Sequence, residues 1–551
     1  MELSAPHLAN RAGRIAVRVI VGLVLILIGL GWWAFTNPPE VTPAGSKSWS
    51  KGVYAGTASL NQSATLQVDK EGAYLVWVDD ANRLHFVTID GQGTANSDKF
   101  LAIATLFPRS PQLILDPDHQ LHLAWLDGQG TQQLHYAQLD RSGNMLLQPV
   151  TVSHEEENIG AFDMVLNDRG ELEIFWSRDE GLVHATLDHQ GQPLQPPTLL
   201  WPAGDRPSVQ VDHGGLIHLV FVERYGSLNL RVRYATFEPA TKTLSRPIEV
   251  LDIFRRGGQI LEGPAIGLDN ENVYLFWSLA DSRDVTSLAS YASFPLADPR
   301  PASPVTLNIT NGDYPGGLWP LDRQGNQMIT TLSSQVYARG EWEFQILTGV
   351  FADGAYQGHQ LVSASRSPSL KPALAADKAG NLHAVWLDAG RFQAYKVVYA
   401  SNMSGVREAL AGVTFYEFID NLFGIVLSLF FVAGVLPFLI VWGIVPLVIV
   451  LVYFFATGQD ELAEQRSWWV LGLACLVQVL IMMFLSPDNV YLSTFWRFSL
   501  PIFLAVPALL VLYFVTVRWK MRSLFVAFIL FVFIHGLLRL FVFAFIVVGP
   551  T

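Results

Sequence analysis

Apolar residues fall into two regimes along this chain. Val19–Phe35 and the stretch from residue 413 onward carry long, nearly uncharged runs, whereas residues 40–412 carry short apolar strings cut by Asp, Asn and Gly. Within that middle stretch one phrase recurs: SATLQVDKEGAYLVWVD at 63–79, SPQLILDPDHQLHLAWLD at 110–127, AFDMVLNDRGELEIFWS at 161–177, RPSVQVDHGGLIHLVFVE at 206–223, GPAIGLDNENVYLFWS at 263–278 and KPALAADKAGNLHAVWLD at 371–388. A worn copy, GLWPLDRQGNQMITTL, sits at 317–332. Each copy reads as a short strand ending at an acidic or amide residue, a polar turn, and a second strand ending in an aromatic residue. Trp77, Trp125, Trp176, Phe221, Trp277 and Trp386 lie 48, 51, 45, 56 and 109 residues apart, the last gap being two periods. Seven units of about 50 residues follow, a period typical of propeller blades.

The rest of each unit supports four strands. A third strand follows the aromatic residue, as in Leu84-His85-Phe86-Val87, and a second turn such as Asp90-Gly91 comes next. The fourth carries proline (Pro149, Pro197, Pro247, Pro304), which suits a blade's outer edge, where no neighbour needs the missing N–H. The second strand is apolar on both faces, as expected for sheets stacked face to face, and its Trp is predicted to wedge between blades.

The long apolar runs predict membrane helices. Arg11, Arg14 and Arg18 precede Val19–Phe35 and no Lys or Arg follows before Lys47. The positive-inside bias therefore puts residues 1–39 across the membrane as a retained signal anchor with a cytoplasmic N-terminus; a cleaved signal peptide is the competing reading. Beyond 413, apolar blocks occupy Leu422–Ala456, Trp468–Leu485, Phe498–Val517 and Leu524–Val548. The first is too long for one straight crossing and contains Pro437 and Pro446. A hairpin there would turn Arg518, Lys520 and Arg522 outward, so a single crossing near Leu436–Phe455 is expected, after an interfacial stretch at Phe415–Val435. The expected domains are thus 1–39, an extracytoplasmic propeller at 40–412, and a four-span bundle at 413–551 in the plasma membrane.

Charge narrows the partners. Residues 40–412 hold 27 basic and 41 acidic residues, so nucleic acid and anionic headgroups are poor partners for the propeller. The only cysteine, Cys475, falls in a C-terminal apolar run, so the outer domain must hold together by packing alone.

The phrase Pro-x-apolar-x-apolar-Asp-x-x-Gly-x-Leu-His-x-x-Trp, over about residues 53–405, resembles the repeats of sialidase-like propellers and their non-enzymatic relatives. The resemblance implies the fold. The Asp-box of true sialidases, Ser-x-Asp-x-Gly-x-Thr-Trp, is missing from every unit, so it does not imply their activity.

The turns between second and third strands share a rim with the starts of the inner strands. That rim collects Asp79, Asp127 and Asp388, with Arg109, Arg206 and Lys371 near the channel, a set able to bind an acidic ligand group or to serve as solvated turn chemistry. Paired acids could support glycoside hydrolysis, although so many loop acids make chance pairs inevitable. His85, His135 and His184 occupy equivalent places on different blades, so no metal site is expected, and no cofactor. His535 and Arg539, one turn apart inside the last apolar block, predict a contact within the membrane to Glu417 or Asp420, a partner subunit or an anionic lipid, with outward snorkelling as the alternative.

The function expected first is a non-catalytic binding or scaffold subunit that recognises a protein or glycan outside the cell while its helices join a membrane complex. Second comes a surface carbohydrate-binding protein or sialidase-like glycoside hydrolase, and third a transporter or sensor component.

Overall fold

The structure, a computed structural model, describes residues 41–548 except 60–61, 155–156, 225–227, 282–285, 322–324, 339–340, 391–394, 416, 420–442, 463, 486–493 and 519–521, together with Gly22 and Gly29. The expected N-terminal anchor and most of the interfacial stretch lie outside these residues. Pro39–Gly412 forms one compact unit, and the residues from Val413 onward belong to a second.

The alternation of apolar strings and polar turns becomes seven antiparallel blades of four strands, to which the fourth and the seventh each add a two-residue strand, Thr243–Leu244 and Val41–Thr42. In the second blade the order from the channel outward is Arg109–Leu115, Leu121–Asp127, Gln133–Leu139 and Met145–Thr151. The worn repeat is the sixth blade, Gly312–Leu321, Met328–Ala338, Glu341–Ala352 and Ala355–Leu361. Inner strands pack against one another in sequence, and Ser369–Ala376 of the seventh blade meets Thr65–Val68 of the first, which closes the ring.

Closure is also covalent in its logic, because the seventh blade takes its outer strand, Gly52–Ala58, from the start of the domain. Trp77 of the first blade donates its indole N–H to the Thr57 carbonyl of that strand at 2.7 Å. The strand can pass this ring because residue 56 is glycine: a Cβ there would lie 2.5 Å from Trp77 Cζ2. Chain arrival and departure share one face, since Ser50 N–H bonds the Ser401 carbonyl at 2.8 Å and Lys51 Nζ the Gly412 carbonyl at 2.7 Å. That lower face carries the turns following each first strand; the upper face carries the inner-strand starts.

Each recurrent aromatic packs into the preceding blade, as the repeat predicted. Trp77 joins Val385 and Tyr399 of the seventh blade, Trp125 joins Tyr74 and Phe86 of the first, and Trp386 joins Ile329 and Ile346 of the sixth. All three are fully buried.

A second tie runs round the channel. Thr65, Gln112, Asp163 and Ser208 hold equivalent places on successive inner strands, and each bonds the next blade's backbone, at Leu113 N, Phe162 O, Val209 N and Ile266 N respectively. Burial pushes the Asp163 carboxyl up to about 6 despite the N–H groups of Val209 and Met164 that bond it.

In the second unit, Gln465–Phe484 and Phe495–Thr516 are helices long and apolar enough to cross a membrane, and Gly443–Thr457 and Leu524–Leu540 are shorter apolar helices. Ala474, Cys475, Ala508 and Ala527 sit in its core beside Leu471, Leu512, Phe528 and Phe531, while Trp469, Leu473, Phe503, Leu510 and Phe514 face outward.

Candidate functional site at the channel mouth

Five inner strands begin with the same irregularity. Ser110, Arg206, Gly263, Tyr314 and Lys371 each precede a proline, each has φ between 48° and 93°, and each sits in a register shift against the second strand. A side chain at positive φ is disfavoured, and a following proline restricts the residue further, so four of these corners store strain of order 1–3 kcal/mol apiece. Such bulges redirect side chains at the end of a sheet. Here they ring the upper mouth of the channel.

Three blades together form a depression of about 370 Å³, lined by Gly160, Ala161, Asp205, Arg206, Pro207, Gly263 and Pro264. Arg206 donates through Nη1 to the Leu261 carbonyl of the next blade, and its Nε lies 4.0 Å from Asp205 Oδ2. Both side chains stay partly exposed. Farther round, Glu262 accepts a bond from Ser278 Oγ at 2.8 Å. Burial lowers the Lys371 ammonium pKa, while the charge of Glu262 acts to raise it. The mouth therefore alternates donors and acceptors, with proline rings and glycine backbone between them.

The acids predicted for the rim are placed differently: Asp79, Asp127 and Asp388 are all buried. Asp79 accepts from Ala81 N and Arg83 N and pairs with Arg83 Nη2 at 2.7 Å. Asp127 holds the approach to its blade through Leu106 N, Phe107 N and Gly128 N. Asp388 accepts from Ser369 Oγ at 2.5 Å and Trp386 Nε1 at 2.8 Å, and burial pushes it up to about 6. Backbone and neighbouring donors consume these carboxylates, whereas the sequence placed them toward solvent. Of the three cations, Arg206 lines the depression, Lys371 belongs to the corner near Glu262, and Arg109 stands exposed on the second blade.

His85 and His135 stack on Trp77 and Trp125 of their own blades. His184 binds buried Glu173 at 2.7 Å, and Lys242 reaches the same carboxylate at 2.7 Å. Among the described residues no group of three or more His, Cys, Asp or Glu could hold a metal ion. A repeated network escaped the sequence reading: His122, His218 and His383 each lie between a tyrosine hydroxyl (Tyr136, Tyr234, Tyr399, at 2.6–2.7 Å) and an aspartate (Asp116, Asp212, Asp377). The Leu-His-x-x-Trp phrase carried its signal, together with a tyrosine on the third strand.

In the second unit His535 and Arg539 are buried. His535 Nε2 bonds the Pro501 carbonyl at 3.0 Å, and Arg539 donates to the Met482 carbonyl at 2.7 Å.

No protein-family model matches the chain, and no curated protein sequence matches it. Among solved structures, a polysaccharide lyase described as PL25-Ulvanlyase is similar at 8% identity, covering 63% of this chain and 95% of its own, with a TM-score of 0.47. The BP39L lectin from Burkholderia pseudomallei is 14% identical over 60% of this chain and 96% of its own, with a TM-score of 0.42. A puromycin-hydrolyzing peptidase of Mycobacterium tuberculosis is 15% identical over 67% of this chain and 55% of its own, at 0.41. Similarity this distant transfers no activity to this chain.

Proposed function

We propose that the protein is a membrane-anchored, extracytoplasmic propeller that binds a glycan at the upper mouth of its channel without cleaving it. The observation that carries this reading is the depression around Asp205 and Arg206. The Asp205 carboxylate can accept from one sugar hydroxyl while the Arg206 guanidinium donates to its neighbour, and Pro207 and Pro264 offer apolar faces to C–H groups. Glycoside hydrolysis needs a protonated acid facing a second carboxylate across the substrate. The two carboxyls raised to about 6, Asp163 and Asp388, are instead buried among backbone and side-chain donors. This favours binding over catalysis.

The membrane part of the proposal is an N-terminal anchor within 1–39, four spans within 413–551, and residues 40–412 outside the cell. The apolar outer surface of the helices supports it. Arg539 and His535 bond carbonyls of their own bundle, so they lend no particular weight to a partner subunit. Protease added to intact cells should then release a fragment of about residues 40–410; a protected middle segment contradicts that orientation.

The binding test applies the detergent-solubilised full chain to a printed panel of neutral and uronate-containing oligosaccharides. Wild type should retain at least one class, and Arg206→Ala and Asp205→Asn should lose it with an unchanged melting temperature. Equal retention by both variants would remove the mouth as the site.

A further inference from the structure

The sixth blade carries open aromatic residues at its tip. Its register about the corner at Tyr314 matches that of the fifth blade about Gly263, with Asp313 opposite Gln335 and Gly316 opposite Ser333 as Glu262 is opposite Ser278 and Ala265 opposite Phe276, so Ser334 takes the place of Trp277. Leu332 packs with Tyr274 and Phe276 of the fifth blade. The second strand ends at Ala338, as far past Ser334 as the fifth blade's second strand, which ends at Asp281, runs past Trp277. At its tip Tyr337 pairs with Trp342, their rings 5.9 Å apart and tilted by 59°. Both are unusually open for aromatic residues, 43% and 52% exposed. A third exposed aromatic, Tyr314, is 40% open and occupies the strained corner of the same blade's inner strand.

Register spreads the three over one blade. Tyr337 and Trp342 are directly opposite on the second and third strands. Asp313 is opposite Gln335 and Gly316 opposite Ser333, so Tyr314 stands level with Ser334 on the inner strand, about 10 Å further down at strand rise and nearer the channel mouth. A cross-strand aromatic pair steadies a hairpin by only about 0.2–1 kcal/mol and does not need open ring faces for it. Open aromatic clusters instead mark contact surfaces.

We infer that Tyr314, Tyr337 and Trp342 form a stacking platform for the pyranose rings of an oligosaccharide whose end occupies the channel mouth, an inference that rests on the glycan reading above. Two features favour a sugar over a protein segment. The aromatic residues are bordered by the hydroxyl of Ser287, which bonds the Tyr314 and Pro315 carbonyls, and by Gln335, which shares a sheet face with Tyr337, polar groups matching a hydroxyl rim. They also continue directly from the donor–acceptor ring of the mouth, where an added Cβ on Gly316 would lie 3.0 Å from Ser287 Oγ and 3.8 Å from Glu262 Oε2. Ring faces carry negative quadrupole potential and attract the C–H face of a sugar, while the rim bonds its hydroxyls.

The experiment measures affinity of the full chain for the panel's best disaccharide and for its longer homologue. Trp342→Ala and Tyr337→Ala should weaken the longer ligand about tenfold each and leave the disaccharide unchanged, with Trp342→Phe near wild type. Arg206→Ala should weaken both lengths. If binding depends on Arg206 but ignores Trp342 and Tyr337 at every length, the platform is overturned while the mouth reading stands. If wild type binds no glycan on the panel, the mouth reading fails and the platform falls with it. Trp342-dependent capture of a protein in place of a glycan overturns the platform as a sugar site.

Discussion

At the scale of single residues, the propeller buries polar and titratable groups within its blades. His383 is one of them. Its Nδ1 lies 2.6 Å from the Tyr399 hydroxyl, and its Nε2 faces the Asp377 carboxylate at 3.8 Å. Burial lowers its pKa to about 4 against the attraction of Asp377, so the fold holds it neutral. The unfolded chain takes up the proton near pH 6.5, so this contribution is complete above 6.5 and is lost as pH falls toward 4. Asp163 and Asp388, pushed up to about 6, act in the opposite sense. His383→Gln keeps both acids, so the stability gap between wild type and variant should narrow between pH 6.5 and 4 in urea titrations; a pH-independent gap contradicts the assignment. The Trp wedges are the larger contribution. Trp125→Ala and Trp386→Ala should each lose about 3–5 kcal/mol in the same assay, because each empties a packed space between two blades.

At the scale of elements, repetition made the blades legible and hid what departs from repetition. The aromatic spacing reports blade number because every unit must bury its second strand between two neighbours, whereas of the prolines expected in the fourth strands Pro149 lies within one and Pro197, Pro247 and Pro304 precede theirs. The closing strand Gly52–Ala58 precedes the first copy of the repeat phrase, so no periodic signal assigns it to the seventh blade. The burial of Asp79, Asp127 and Asp388 was likewise hidden. An Asp at a turn looks solvated in sequence, and only the fold shows which N–H groups surround it. The corners at Ser110, Arg206, Tyr314 and Lys371 left a visible trace, a residue-proline pair at each inner-strand start, but nothing in a residue pair announces positive φ. Ser110→Gly should relieve one such corner and raise stability by about 0.5–1 kcal/mol. A loss of stability on thermal denaturation would mean that the corner is not strained.

At the scale of the whole molecule, the two faces of the propeller differ in what they carry. The lower face receives both chain connections, with Lys51 bonded to Gly412. The upper face carries the depression, the strained corners and the aromatic tip of the sixth blade. The sequence made the division into a repeat-built domain and apolar helices readable, because the two regimes of hydrophobicity do not overlap. It named Arg206 and Lys371 through the rim argument but gave no sign that Asp205 and Gly263 line the depression, since Asp205 lies outside every copy of the repeat and Gly263 only begins one. Glycan binding at this upper mouth is tested most directly by hydrogen exchange of the full chain, with and without a saturating oligosaccharide from the panel. Slowed exchange is expected at Gly160–Ala161, Asp205–Arg206 and Glu262–Gly263, with the lower-face turns unchanged. Protection confined to the lower face, or none at the mouth under saturation, would contradict it.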